Sequence, residues 1–157
     1  MNNAHFHLLV NHLPIIFPVA GIIVMILGWI IKSEAVKRTA YFIFILAALG
    51  SVAAMLSGES AENSIEKLNG VSKDFIETHE DAAKTFAILA YTLGAVSLIG
   101  LWASWKKKVI SNIISISVLV FALVLMVFAK QVGTTGGEII HTEIRNNQLA
   151  GGAANDD

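Results

Sequence analysis

Four long apolar stretches are separated by short polar ones along this chain. They run from Leu13 to Ile31, Ala40 to Leu56, Ala82 to Ala103 and Val109 to Ala129. A bilayer crossing takes about 20 mostly apolar residues in a helix, so the pattern predicts four transmembrane helices. A tight turn follows the first, a polar loop over 57–81 follows the second, and another tight turn follows the third. The expected fold is all-α, an integral-membrane four-helix bundle formed by residues 1–145, with a helical outer loop at 57–81 and a disordered tail at 146–157.

Punctuation within the pattern refines this. Pro14 suits the first turn of a helix, where its missing N–H costs nothing, and Pro18 is expected to kink the first crossing. Asn69-Gly70 reads as a break in the outer loop, with Ser72 as N-cap of the next helix. From Lys73 the pattern runs without a breaker to Ala103, so the third crossing should begin well before its apolar part. Beyond Lys130, "GTTGG" reads as a turn leading into a short helix, "EIIHTEIR". The opening "MNNAHFHLLVNHLP" has no Lys or Arg, unlike the basic start of a secretory signal, so the first run is read as a retained helix.

Charge orients the helices. Lys32, Lys37 and Arg38 fall in the first turn, and Lys106, Lys107 and Lys108 in the turn between crossings three and four. Four crossings put both turns on one side, and short basic loops stay cytoplasmic. Trp29, Trp102 and Trp105 mark the same face as an interfacial belt. The opposite side receives eleven of the twelve acidic residues, all but Glu34. Both termini are therefore expected outside, in the periplasm, with the protein in the bacterial inner membrane. Net charge of −1 suggests no nucleic-acid partner, and the absence of cysteine excludes disulfides, thiolate metal sites and covalent c-type haem.

The orientation makes the histidines conspicuous. All five, His5, His7, His12, His79 and His141, fall on the outer side, three of them within "HFHLLVNH". Neutral imidazole is the commonest ligand for transition metals and haem iron. His5 by itself reads as an interfacial side chain. His7 and His12 lie five residues apart, about 140° around a helix, so they need not share one ion. His79 is flanked by Glu77, Glu80 and Asp81, any of which could orient its ring. Glu138-x-x-His141 places two donors on one helix face, the spacing used in di-iron bundles, with Glu59 and Glu62 as further carboxylates. A weak echo aligns "GESAE" with "GEIIH" and His12 with His79, as a duplicated hairpin would. No phosphate-cradling glycine loop or serine-hydrolase elbow is present. No ionisable residue lies in the middle of an apolar run, which argues against a pump or transporter acting alone.

Three functions fit these residues. The first is a b-type haem protein carrying electrons on the outer side, with His12 and either His79 or His141 as axial ligands, and His7 beside a second haem or as an orienting group. It would work with the lipid bilayer and a periplasmic or membrane redox partner. The second is a non-haem Zn, Cu or Fe site drawn from His7, His12, His79 and His141 with Glu59, Glu62 or Glu138. The third is a structural subunit of a larger membrane complex. Whether the protein is an enzyme is left open.

The same motifs resemble a bacterial membrane family, domain of unknown function 2231. "HLLVNHLP" is similar to that family's opening H-P-x-x-V-H-F-P, with His7 and His12 on its histidines, Leu8 in place of its proline and Asn11 in place of its valine. "GESAE" and "GVSKDFIETHEDAA" resemble its G-E-P-A-E and G-V-S…I-E-x-H-E-x-A-A segments. "GGEIIHTEI" is similar to its ending G-G-E-L-V-Y-x-H-G, with the histidine two positions earlier here. The resemblance covers about residues 5 to 145. It implies a four-helix membrane domain, and relatives joined to cytochrome-like modules would imply redox work.

Overall fold

The computed structural model describes residues 3–65, 73–106, 108–141 and 145, with the side chains of 3–4, 59–65 and 108 outside that description. Every element is helical: α1 Asn3–Val10, α2 Leu13–Ile30, α3 Glu34–Ile65, α4 Lys73–Lys106 and α5 Lys108–Ile140. Four helices are long and apolar enough to cross a membrane, the first formed by α1 and α2 together. Helix α2 packs on α3, α3 on α4 and α4 on α5, while α5 returns against α2 to close the ring; α1 lies along α3.

The α1–α2 break has a local cause. Pro14 offers no N–H and its ring would clash with the carbonyl of Val10, four residues earlier. Helix α1 accordingly ends at Val10, and α2 restarts at Leu13 with Pro14 in its first turn. At the other end of α2, the Ser33 N–H bonds the Gly28 carbonyl (3.0 Å) and the Lys32 N–H bonds that of Trp29 (3.2 Å). This double closure needs a left-handed residue, and Lys32 takes it at φ 53°. Ser33 then caps α3, its Oγ accepting the Val36 N–H at 3.4 Å.

Two stretches differ from the sequence expectation. Residues 57–65 continue α3 instead of opening a separate loop, whereas α4 begins at Lys73 as the unbroken pattern predicts; Asn69, Gly70 and Ser72 lie outside the described residues. The expected turn at "GTTGG" does not form either. Helix α5 runs through Gly133, Gly136 and Gly137 to Ile140. Helix-breaking propensity costs about 1 kcal/mol per glycine, and packing of α5 on α4 outweighs it. Past the end, Arg145 donates to the carbonyls of Glu138 (2.7 Å) and Ile139 (2.9 Å), partners that the last turn of a helix otherwise lacks. Its guanidinium also stacks on Phe75 of α4.

The core is a column of Met25, Tyr41, Phe44, Leu93, Val118 and Leu125, each fully buried. Small residues let the helices meet. A Cβ on Gly94 would lie 2.5 Å from Ala48 Cβ, and one on Gly21 would lie 2.5 Å from the Phe44 ring. Replacing Gly94 by leucine should wedge α3 from α4 and cost about 2 kcal/mol. Thermal unfolding in detergent measures this; an unchanged melting temperature would mean that the two helices have no fixed separation there.

Charge gathers at one end of the bundle, hereafter the basic end. Lys37 is buried there, paired with Glu34, donating to Asn112 Oδ1 (2.9 Å) and lying 4.8 Å from the Trp29 ring centroid. Arg38 donates to Ser104 Oγ (3.0 Å) and to the Ser104 carbonyl (2.9 Å). Lys37 thus joins α2, α3 and α5, and Arg38 joins α3 to α4. The histidines occupy the opposite end.

Candidate functional site

At the histidine end, His7 on α1 and His79 on α4 are both half-buried. Each is held by the helix against which its own packs. His7 Nδ1 lies 2.9 Å from Ser57 Oγ on α3. His79 Nδ1 lies 3.1 Å from Thr135 Oγ1 on α5.

The hydroxyls decide which nitrogen carries the proton. The single hydrogen on Ser57 Oγ is directed back to α3, to the carbonyls of Ala53 (2.8 Å) and Ala54 (3.1 Å). Thr135 does the same on α5, with the carbonyls of Gln131 (3.1 Å) and Val132 (3.2 Å). Both hydroxyl oxygens are therefore left as acceptors, as are the backbone carbonyls beside them. With the hydroxyl hydrogens so directed, Nδ1 of each imidazole is the N–H donor. The neutral rings then present Nε2 lone pairs, the electron-pair donors used towards a metal. An N–H fixed on the far nitrogen by a carbonyl or hydroxyl is the usual support of a metal-bound histidine.

Glycines make room for the rings. A Cβ on Gly136 would approach His79 Cε1 to 3.0 Å and Nδ1 to 3.3 Å. A Cβ on Gly58 would come within 3.5 Å of His7 Cε1. Each glycine directly follows the hydroxyl residue that orients the same ring.

The other sequence candidates fall elsewhere. His12, expected next to His79, is exposed and bonded to Asn11 Oδ1; the turn forced by Pro14 carries it off the face that His7 occupies. Of the histidines in this segment, His7 is the half-buried one and His12 is exposed. His141 is exposed at the end of α5, its N–H bonded to the Gly137 carbonyl at 2.9 Å. Glu138 is half-buried one turn beyond Thr135. The side chains of Glu59 and Glu62 lie outside the described residues. Among the described residues, no three His, Asp or Glu side chains converge as a metal set. Glu77 and Asp81 are exposed, and Glu80 pairs with Lys84 at 3.0 Å, so the acids flanking His79 leave its orientation to Thr135.

Sequence reasoning missed Ser57 and Thr135. Their signal was Ser57-Gly58 and Thr135-Gly136, a hydroxyl followed by glycine near the end of each returning helix.

The model of one family, DUF2231, described as a predicted membrane protein, matches residues 4–143. No curated protein and no solved structure matches the chain.

Proposed function

This chain belongs to the DUF2231 family of predicted membrane proteins, and from that premise we propose that it holds a b-type haem between His7 and His79 and passes electrons at one membrane face. The observation that carries this reading is the pair of half-buried imidazoles, each with Nδ1 within hydrogen-bond distance of a hydroxyl on the helix it packs against, which leaves Nε2 as the electron-pair donor. Bound there, the haem would supply one-electron chemistry. The chain supplies two neutral nitrogen donors from different helices, and it orients them before any ligand arrives. Two histidines complete the axial set of a haem, whereas a zinc or copper centre built from protein side chains alone needs three or four donors. Held by His7 and His79, the haem would supply electron transfer in preference to catalysis on a bound substrate.

The polarity of the chain supports a direction. Lys32, Lys37, Arg38 and Lys106 share the basic end, which the positive-inside rule assigns to the cytoplasm. The histidine site and both termini then face the periplasm across the inner membrane, and the redox partner is a periplasmic or membrane protein reaching that side.

An absorption spectrum of the detergent-purified protein, oxidised and then reduced with dithionite, tests the reading together with elemental analysis of the same sample. A Soret band with sharp reduced α and β bands is expected. A colourless sample carrying stoichiometric zinc, copper or iron would replace haem with a His/Glu metal centre that draws on Glu59, Glu62 or Glu138. A sample with neither, still colourless after incubation with haemin, would leave a structural subunit as the better account.

A further inference from the structure

The two histidine modules are the same module. In each, the ring of the outgoing helix lies within hydrogen-bond distance of a Ser or Thr hydroxyl on the returning helix, that hydroxyl bonds the carbonyl three residues back, and a glycine follows directly. Ala54, Ser57 and Gly58 correspond to Val132, Thr135 and Gly136. Both hydroxyls also back-bond to their own helix three and four residues earlier.

The correspondence extends through the bundle. His79 is 72 positions after His7 (79 minus 7), and this shift carries the buried positions of α2 onto buried positions of α4. Pro14, Pro18, Gly21, Met25 and Gly28 fall on Phe86, Ala90, Leu93, Ser97 and Gly100. Thr135 is 78 positions after Ser57 (135 minus 57), and that shift carries α3 onto α5. Lys37, Ala40, Phe44, Ala47 and Ser51 fall on Ser115, Val118, Ala122, Leu125 and Ala129, all buried. The difference between the shifts is taken up in the turns, since α4 and α5 both extend further at the basic end. Helical periodicity alone repeats a buried face every three to four residues. The shift set by the histidines nonetheless carries the buried face across the α1–α2 break, and the shift set by the hydroxyls carries the following glycine with it. The sequence echo that paired His12 with His79, and Gly58-Glu59 with Gly137-Glu138, is thus replaced by a register pairing His7 with His79 and Ser57-Gly58 with Thr135-Gly136.

Helices α2 and α4 run in the same direction, and α3 and α5 return. Repeats of this kind are related by an axis along the membrane normal. The packing follows it within the hairpins, where α2 on α3 matches α4 on α5, while α3 packs on α4 much more extensively than α5 does on α2. Helix α1 on α3 matches the start of α4 on α5. We propose that the chain is a doubled helical hairpin and that His7 and His79 form one site on its pseudo-two-fold axis, where a single ligand atom is shared by two equivalent nitrogen donors. This deepens the haem reading and rests on its imidazole pair. It excludes one independent site per hairpin.

The test uses the full chain in detergent and two readouts. Titration with haemin should saturate at one low-spin haem per chain. His7→Ala and His79→Ala should each abolish the low-spin spectrum to the same extent, and Ser57→Ala and Thr135→Val should shift the midpoint potential in the same direction. Two haems per chain, or loss in only one of the histidine variants, would overturn the shared site while leaving haem binding intact. If no low-spin haem forms, the haem reading fails and the second readout decides the inference. Nitrogen-15 spectra of histidine-labelled, ligand-free protein should show Nδ1–H on both rings, and His7→Ala should move the His79 signals, with the converse also true. Independent signals would overturn the shared site.

Discussion

Replacing Gly136 by leucine is expected to abolish cofactor uptake at the histidine end while the bundle stays folded. The Cβ alone would stand 3.0 Å from His79 Cε1, closer than ordinary contact allows, and the remaining side-chain atoms must occupy the space beside the ring. His79 would have to leave Thr135, and its Nε2 would lose its aim. Loss of a group that orients a ligating histidine weakens binding about 10- to 100-fold, and displacement of the ligand itself should reach at least the upper figure. Gly133 provides the control. It lies on the same helix with nothing within 4 Å of its would-be Cβ, so Gly133→Leu should bind haemin as the wild type does. Both substitutions replace glycine by a better helix former, so helix stability cannot account for a difference between them. Equal haemin affinity in the two variants would show that His79 is not a ligand in the observed orientation.

The second large effect concerns the basic end. Glu34→Ala is expected to destabilise the protein by about 2 kcal/mol, because it leaves the Lys37 ammonium buried without its carboxylate. Breaking a buried ion pair from one side costs roughly 3–5 kcal/mol. The figure is reduced here because the Glu34 side chain is 34% exposed and Asn112 remains as an acceptor. Lys37→Met removes the charge along with its partner's need, and should cost less. The double variant should recover part of the Glu34→Ala loss, giving a coupling energy of about 1 kcal/mol in a double-mutant cycle. Chemical unfolding in detergent supplies all four corners of that cycle. Additive effects would mean that Lys37 is held by Asn112 and Trp29, with Glu34 a bystander.

The candidate site was legible in residue type and incomplete in pairing. His79 stands out because it precedes an apolar run, and His7 because it shares a crowded segment. The partners that orient them were not legible. Ser57 lies 50 residues from His7 and Thr135 lies 56 from His79, and no local pattern ties a histidine to a hydroxyl at that range. The two glycines looked like turn formers because glycine usually ends helices; here they are the places where a ring meets a helix.

What the chain determines by itself is what depends on local chemistry and on the bilayer. The apolar runs set four crossings, since their length must match the membrane and their backbone must satisfy its own hydrogen bonds. Pro14 ends α1, and the unbroken pattern from Lys73 to Ala103 is one helix in the structure. Tertiary structure decided which of the clustered histidines turns inward, that α5 continues through its glycines, and that Lys37 is buried. Each of these depends on a surface supplied by a distant helix. Burial against that surface outweighs the propensity of a single residue, and it cannot be read from that residue's neighbours in sequence.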